Sequence, residues 1–199
     1  MPFSGETALK NAHPYEPFNC AKAYKIVIGS IPPPRFCETS PKRLYKGDID
    51  WYYGSRNNLF WNMASALAKE PLQEVKSRQL FCEKYSVGFV DIIRSCNRKK
   101  RAASDQYLCN ISPIDISKIL RENVGEKTRI FFTSVFAAKL FKRAIVGDIT
   151  VDPQNRADFK PFNLGGKTFK ALTLYSPSPR AANNKAICAG YENYKALLD

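Results

Sequence analysis

The chain contains one histidine, His13, and none of its six cysteines (Cys20, Cys37, Cys82, Cys96, Cys109 and Cys188) forms a Cys-x-x-Cys pair. A Ser-His-Asp or Cys-His mechanism would rest on that single histidine, in a proline-containing amino-terminal arm of about residues 1–22, and is discounted. A zinc ribbon and a thioredoxin-like motif both lack their cysteine spacing, and no other cluster of metal ligands stands out. The cysteines read as reduced, mostly buried thiols, with a four-cysteine iron–sulfur site of scattered ligands as the open alternative. A Gly-x4-Gly-Lys-Ser/Thr phosphate loop is missing, as is any internal repeat. No apolar run approaches the ~18 residues of a spanning helix, and "MPFSGETALKNAHPYEPF" lacks the apolar middle of a signal peptide. An intracellular protein is expected.

Acidic residues are also scarce: 18 Asp and Glu stand against 31 Lys and Arg, a net charge of +13 with a pI near 9.5. Such an excess favours a polyanionic partner, nucleic acid first. The membrane alternative lacks both a Lys/Arg-lined amphipathic helix and a lipidation signal. What is present is ordinary for a globular domain, 44% hydrophobic and 25% charged over 199 residues, enough for one well-buried unit.

Short β-branched or aromatic runs alternate with helical spacing. "KIVIGS" (Lys25 to Ser30), "VGFVDII" (Val87 to Ile93), "RIFFTS" (Arg129 to Ser134) and "KALTLY" (Lys170 to Tyr175) read as strands. Helices are expected from Phe60, from Pro71 through "LQEVKSRQLFCEKY", over "IDISKILREN", over "VFAAKLFKR" and near the carboxyl terminus. The alternation predicts a three-layer α/β/α sandwich on a central, mainly parallel four-stranded sheet. Ligands bind such sheets where the strands' carboxyl ends leave into loops. The loops in question are Ile31 to Asn58, Arg94 to Asp105 and Ser176 to Asn184.

The first loop holds "WYYGSRNNLFW". Gly29 allows a tight turn that bares backbone amides to a carbonyl or phosphate oxygen. Tyr52 and Tyr53 can offer a ring face to a nucleobase, or can simply pack. Asn58 can hold a water or a base edge, or can cap the helix beginning near Leu59. Phe60 and Trp61 read as core. In "SCNRKKRAASD", Arg98, Lys99, Lys100 and Arg101 form either a phosphate-binding cluster or a solvated loop. Asp91 reads as a strand-end residue satisfying backbone donors. "YSPSPRAANN" is a rigid bend: Ser176 and Ser178 can bind phosphates and Arg180 can enter the base stack, or the segment is a plain turn before a terminal helix.

The order "IGSIPP", "YYGSRNNLFW", "VGFVDIIRSC…SD", "RIFFTS…AAKLF", "LYSPSPRAAN" resembles the uracil-DNA glycosylase superfamily from about Lys25 to Asn183, and most resembles its hypoxanthine-DNA glycosylase branch. The resemblance implies a monofunctional DNA glycosylase of base excision repair, monomeric, nucleoid-associated in a prokaryote, and needing neither metal nor organic cofactor. It places the catalytic asparagine at Asn58, with Asn57 the register alternative, and the base-stacking ring at Tyr53. Gly29, Ser30, Ile31 and Thr133 would complete the base site. Ser176, Ser178, Arg180 and the Arg98 to Arg101 cluster would hold DNA, with Arg180 as the wedge. Ser30 stands where better-known relatives keep a catalytic acid or amide, Ser176 where they keep a histidine, and Thr133 where many keep an asparagine. Those departures sustain one rival, a non-catalytic nucleic-acid-binding module; a second, an intracellular nucleotide hydrolase with no polymer substrate, fits the parallel sheet but explains neither the charge nor the Arg180 tip.

Overall fold

In the computed structural model, which describes residues 9–38, 42–123, 127–145, 151–179 and 192–199, the chain runs β1 (Leu9–Ala12), β2 (Lys25–Gly29), α1 (Pro34–Cys37), α2 (Phe60–Ala68), α3 (Val75–Lys84), β3 (Val87–Asp91), β4 (Ile93–Arg98), a single 3-10 turn (Asp105–Tyr107), β5 (Leu108–Pro113), α4 (Ile116–Glu122), β6 (Arg129–Phe132), α5 (Val135–Ala144), β7 (Lys160–Leu164) and β8 (Lys167–Thr173). A helical turn at 192–195 follows.

The central sheet has the order β3-β2-β6-β8-β7. Its first four strands are mutually parallel and correspond to the expected ones. The expected count of four is corrected to five: β7 joins β8 antiparallel at the edge. Gly165 (φ 57°) and Gly166 (φ 78°) make that hairpin turn, a backbone region where glycine carries no Cβ penalty.

Every residue of β2 is buried, as a parallel strand covered on both faces requires. Ile26 and Ile28 point into one core with Ile130, Phe132, Leu120, Ala138 and Phe141, which brings α4 and α5 onto that face. Val27 and Phe131 point into the other with Phe60, Trp61, Phe81 and Cys82 of α2 and α3. Three layers result.

Two sequence expectations are revised. Pro71 does not open a helix: α3 starts at Val75, where the Glu74 N–H donates to Ser77 Oγ at 3.2 Å. The stretch after β3 is not simply a loop, because β4 pairs antiparallel with β1 and β5 in a second, three-stranded sheet. The amino-terminal arm is therefore part of the fold, and the His13 backbone N–H donates to the Arg94 carbonyl at 2.8 Å.

Candidate active site

The carboxyl ends of β2, β3 and β6 and the segment after β8 surround a cavity of about 700 Å³, within the size range of small-ligand pockets. Most of its wall comes from the three loops picked out in the sequence (residues 31–36 and 51–58, residues 103–105, and Ser176 to Pro179), and Tyr15, Ser30, Asp91, Thr133 and Ser134 complete it. Pro177 joins two of these walls by accepting the Leu59 N–H at 2.9 Å.

Asn58 lines the cavity and is half-buried. Its Oδ1 accepts the Phe60 N–H at 2.9 Å, an Asx-type turn that satisfies the first N–H of α2 from one residue before its N-cap, Leu59. The amide nitrogen makes no hydrogen bond among the described residues. Asn57 lines the same cavity and is exposed. Tyr53 adopts φ 54°, rare for a residue with a side chain and enriched where function fixes the backbone. Phe60 covers its ring at 4.6 Å between centroids, 18° from parallel, and the ring borders the cavity. Tyr52 is core: it is 2% exposed, stacks on Phe89 and donates its hydroxyl to the Glu16 carbonyl. Phe60 and Trp61 are buried as expected.

Gly29 is glycine for a reason other than the expected turn. A Cβ there would lie 2.3 Å from Asp91 Oδ1 and 2.5 Å from the Tyr53 hydroxyl oxygen. Both of those oxygens are buried without a hydrogen-bond partner among the described residues, and the Thr133 hydroxyl sits beside Tyr53 without satisfying it. Burial, with Asp91 second, holds the Tyr53 phenol well above its ordinary pKa, so it stays neutral. Ser30, Ile31 and Thr133 line the cavity; Thr133 Oγ1 reaches the Ile28 carbonyl at 3.5 Å.

Asp91 does not cap backbone donors. Its Oδ2 pairs with His13 Nε2 at 2.9 Å, and His13 Nδ1 lies 2.8 Å from the Tyr15 carbonyl. Burial pulls the imidazole pKa down, but the Asp91 hydrogen bond and charge and the Tyr15 carbonyl outweigh it, leaving the group above 6.5. No local pattern announces this pair, since 78 residues separate its members. Asp105, the other acid on the cavity wall, accepts the Ser30 hydroxyl at 3.1 Å; burial raises its carboxyl above the usual range.

The expected basic cluster divides. Arg98 is 1% exposed and spends its guanidinium on Asn11 Oδ1 and the carbonyls of Ala102 and Pro32, at 2.8 to 2.9 Å, so it braces the cavity wall and does not reach a phosphate. Lys99 and Lys100 are exposed, and Arg101 pairs with Glu38. Ser176 and Ser178 lie on the wall, the Ser178 N–H reaching Ser176 Oγ at 3.3 Å. Arg180 and Cys188 fall outside the described residues. Among those described, no three His, Cys, Asp or Glu side chains converge as metal ligands, and no helix is long and apolar enough to cross a membrane.

No protein-family model and no curated protein matches the sequence. A solved structure does: the solution NMR structure of "a putative Uracil DNA glycosylase from Methanosarcina acetivorans" superposes with a TM-score of 0.51 at 15% identity, covering 95% of this chain and 99% of that one. The chain thus shares the fold of a uracil-DNA glycosylase-like protein over nearly its whole length.

Proposed function

We propose that the protein is a monofunctional DNA glycosylase that hydrolyses the N-glycosidic bond of a deaminated base, uracil or hypoxanthine, as a step of base excision repair. The observation that carries this reading is the meeting, in one cavity at the carboxyl ends of parallel strands, of the Asn58 amide and the Tyr53 ring on a strongly basic chain. The fold shared with the archaeal protein supports it.

A base inside a duplex is out of reach, so the nucleotide must be everted, at a cost of a few kcal/mol that is lowest for a mispaired or damaged base. Lys99, Lys100, Ser176 and Ser178 offset the distortion through phosphate contacts, and Arg180 is assigned the vacated stack on sequence position alone. Tyr53 stacks on the everted base, worth about 1–3 kcal/mol. Backbone amides of the Ser30 to Ile31 turn face its carbonyl oxygen, as fixed dipoles for the negative charge that grows on a departing base. Asn58 directs a water at C1′ through its free amide nitrogen while its oxygen stays anchored to Phe60, a contribution of orientation and not of proton removal.

That anchoring also favours one rival, the binding module in which Asn58 only satisfies the first N–H of α2. Asn58→Ser separates the two, because serine keeps an accepting oxygen and loses the amide. In single-turnover assays on duplexes with one uracil or one hypoxanthine, Asn58→Ser should lose at least about 100-fold in base release while binding DNA with wild-type affinity. Release at the wild-type rate would reject the catalytic role.

A further inference from the structure

The glycosylase reading leaves one step without an agent: an amide can orient water but cannot take its proton. Among the described residues lining the cavity, two are carboxylates, Asp91 and Asp105. Asp91 is engaged elsewhere, since Oδ2 is paired with His13 and Oδ1 is sealed beneath Gly29 and Tyr53. Asp105 differs on both counts. It begins the 3-10 turn at the base of the β4–β5 loop, and its Oδ1 is fixed by the Ser30 hydroxyl from the end of β2. Its Oδ2 makes no hydrogen bond among the described residues and is not among the sealed atoms.

We propose that Asp105 is the general base of the reaction and Ser30 its positioning residue. The inference rests on the glycosylase reading and deepens it. Asn58 donates to the attacking water and Asp105 Oδ2 accepts its proton. The water oxygen bonds to C1′, the C1′–N bond breaks with its electron pair leaving on the base, and the proton held by Asp105 returns to that base directly or through solvent. Water and nucleoside become abasic sugar and free base, with no oxidant, metal or other reactant.

The surroundings make this carboxylate a stronger base than one in water. Burial raises the Asp105 pKa, opposed by the Ser30 hydrogen bond and the Arg98 charge and aided by the Asp91 charge. A proton acceptor is most effective when its pKa approaches the working pH. Asp105 comes from the β4–β5 loop and is fixed by one hydrogen bond, from Ser30 at the end of β2, while the Arg98 charge from β4 and the Asp91 charge from β3 act on it through space in opposite directions.

The test is base release under single-turnover conditions against pH, on duplexes carrying one uracil or one hypoxanthine, with DNA affinity measured in parallel. The wild type should show an acid limb of unit slope. Asp105→Asn should release base at least about 100-fold more slowly, lose that limb and bind DNA unchanged. Ser30→Ala should move the acid limb to higher pH, because the missing donor had favoured the ionised form; a residue that only supports the fold would not move it. If Asp105→Asn does not fold, the Ser30→Ala limb decides. A wild-type enzyme that is active while both variants keep its acid limb overturns the assignment of Asp105 alone. A wild type that releases neither base overturns the glycosylase reading and this inference with it.

Discussion

At the scale of single residues, the floor of the cavity is tightly constrained. Asp91 Oδ1 and the Tyr53 hydroxyl are buried, have no hydrogen-bond partner among the described residues, and both approach the position a Gly29 side chain would occupy. Buried polar atoms of this kind cost about 1–3 kcal/mol each and persist where function requires them. Gly29→Ala should therefore destabilise the protein by about 1–3 kcal/mol in denaturant unfolding. The loss should be smaller in a Tyr53→Phe background, which removes one of the two clashing oxygens; strictly additive losses would show that the clash is relieved elsewhere. The His13–Asp91 pair makes a separate prediction. Because the folded-state imidazole lies above 6.5, its stabilisation is complete below that pH and disappears as pH rises through the folded value. Wild-type stability should fall over that window, and His13→Gln should flatten it; equal slopes in the two proteins would remove the pair from the account.

At the scale of elements, the β4–β5 hairpin places a buried arginine directly before two exposed lysines. Arg98 holds β1, the segment after β2 and its own loop together, whereas Lys99 and Lys100 face solvent. Arg98→Ala should cost more than about 2 kcal/mol of stability. Replacing Lys99 and Lys100 with alanine should leave stability alone and reduce the salt dependence of DNA binding by about 0.9 in slope for each phosphate that the variant no longer neutralises. A salt slope unchanged in the double variant would place the DNA path elsewhere. In sequence these four basic residues are indistinguishable, because burial depends on a partner strand, β1, whose "LKNA" carries no alternation of apolar and polar residues. By contrast, β2, β3 and β6 were legible, since strands buried on both faces must be largely apolar, and β8 through the buried end of its run. The β7–β8 hairpin did leave a sign, Gly-Gly between alternating residues in "FNLGGKTF", which the expectation of four strands passed over.

At the scale of the whole molecule, the proposed function joins the charge of +13 and the cavity in one account, in which a basic surface would gather a polyanion and a pocket would accept a single everted unit of it. The loops that line the pocket were legible because parallel α/β sheets fix where loops gather, whereas Asn58 and Tyr53 were singled out by the resemblance of "YYGSRNNLFW", and both lie on the cavity wall. His13 and Asp91 were not, since their contact depends on how the arm folds back over β4. The account is tested most directly by incubating the protein with duplexes that each carry one modified base, then cleaving any abasic site with alkali. It predicts strand cleavage at uracil or hypoxanthine and none at the unmodified position, with cleavage abolished in Asn58→Ser. Tight, salt-sensitive binding to every duplex with no abasic site in any of them would contradict it.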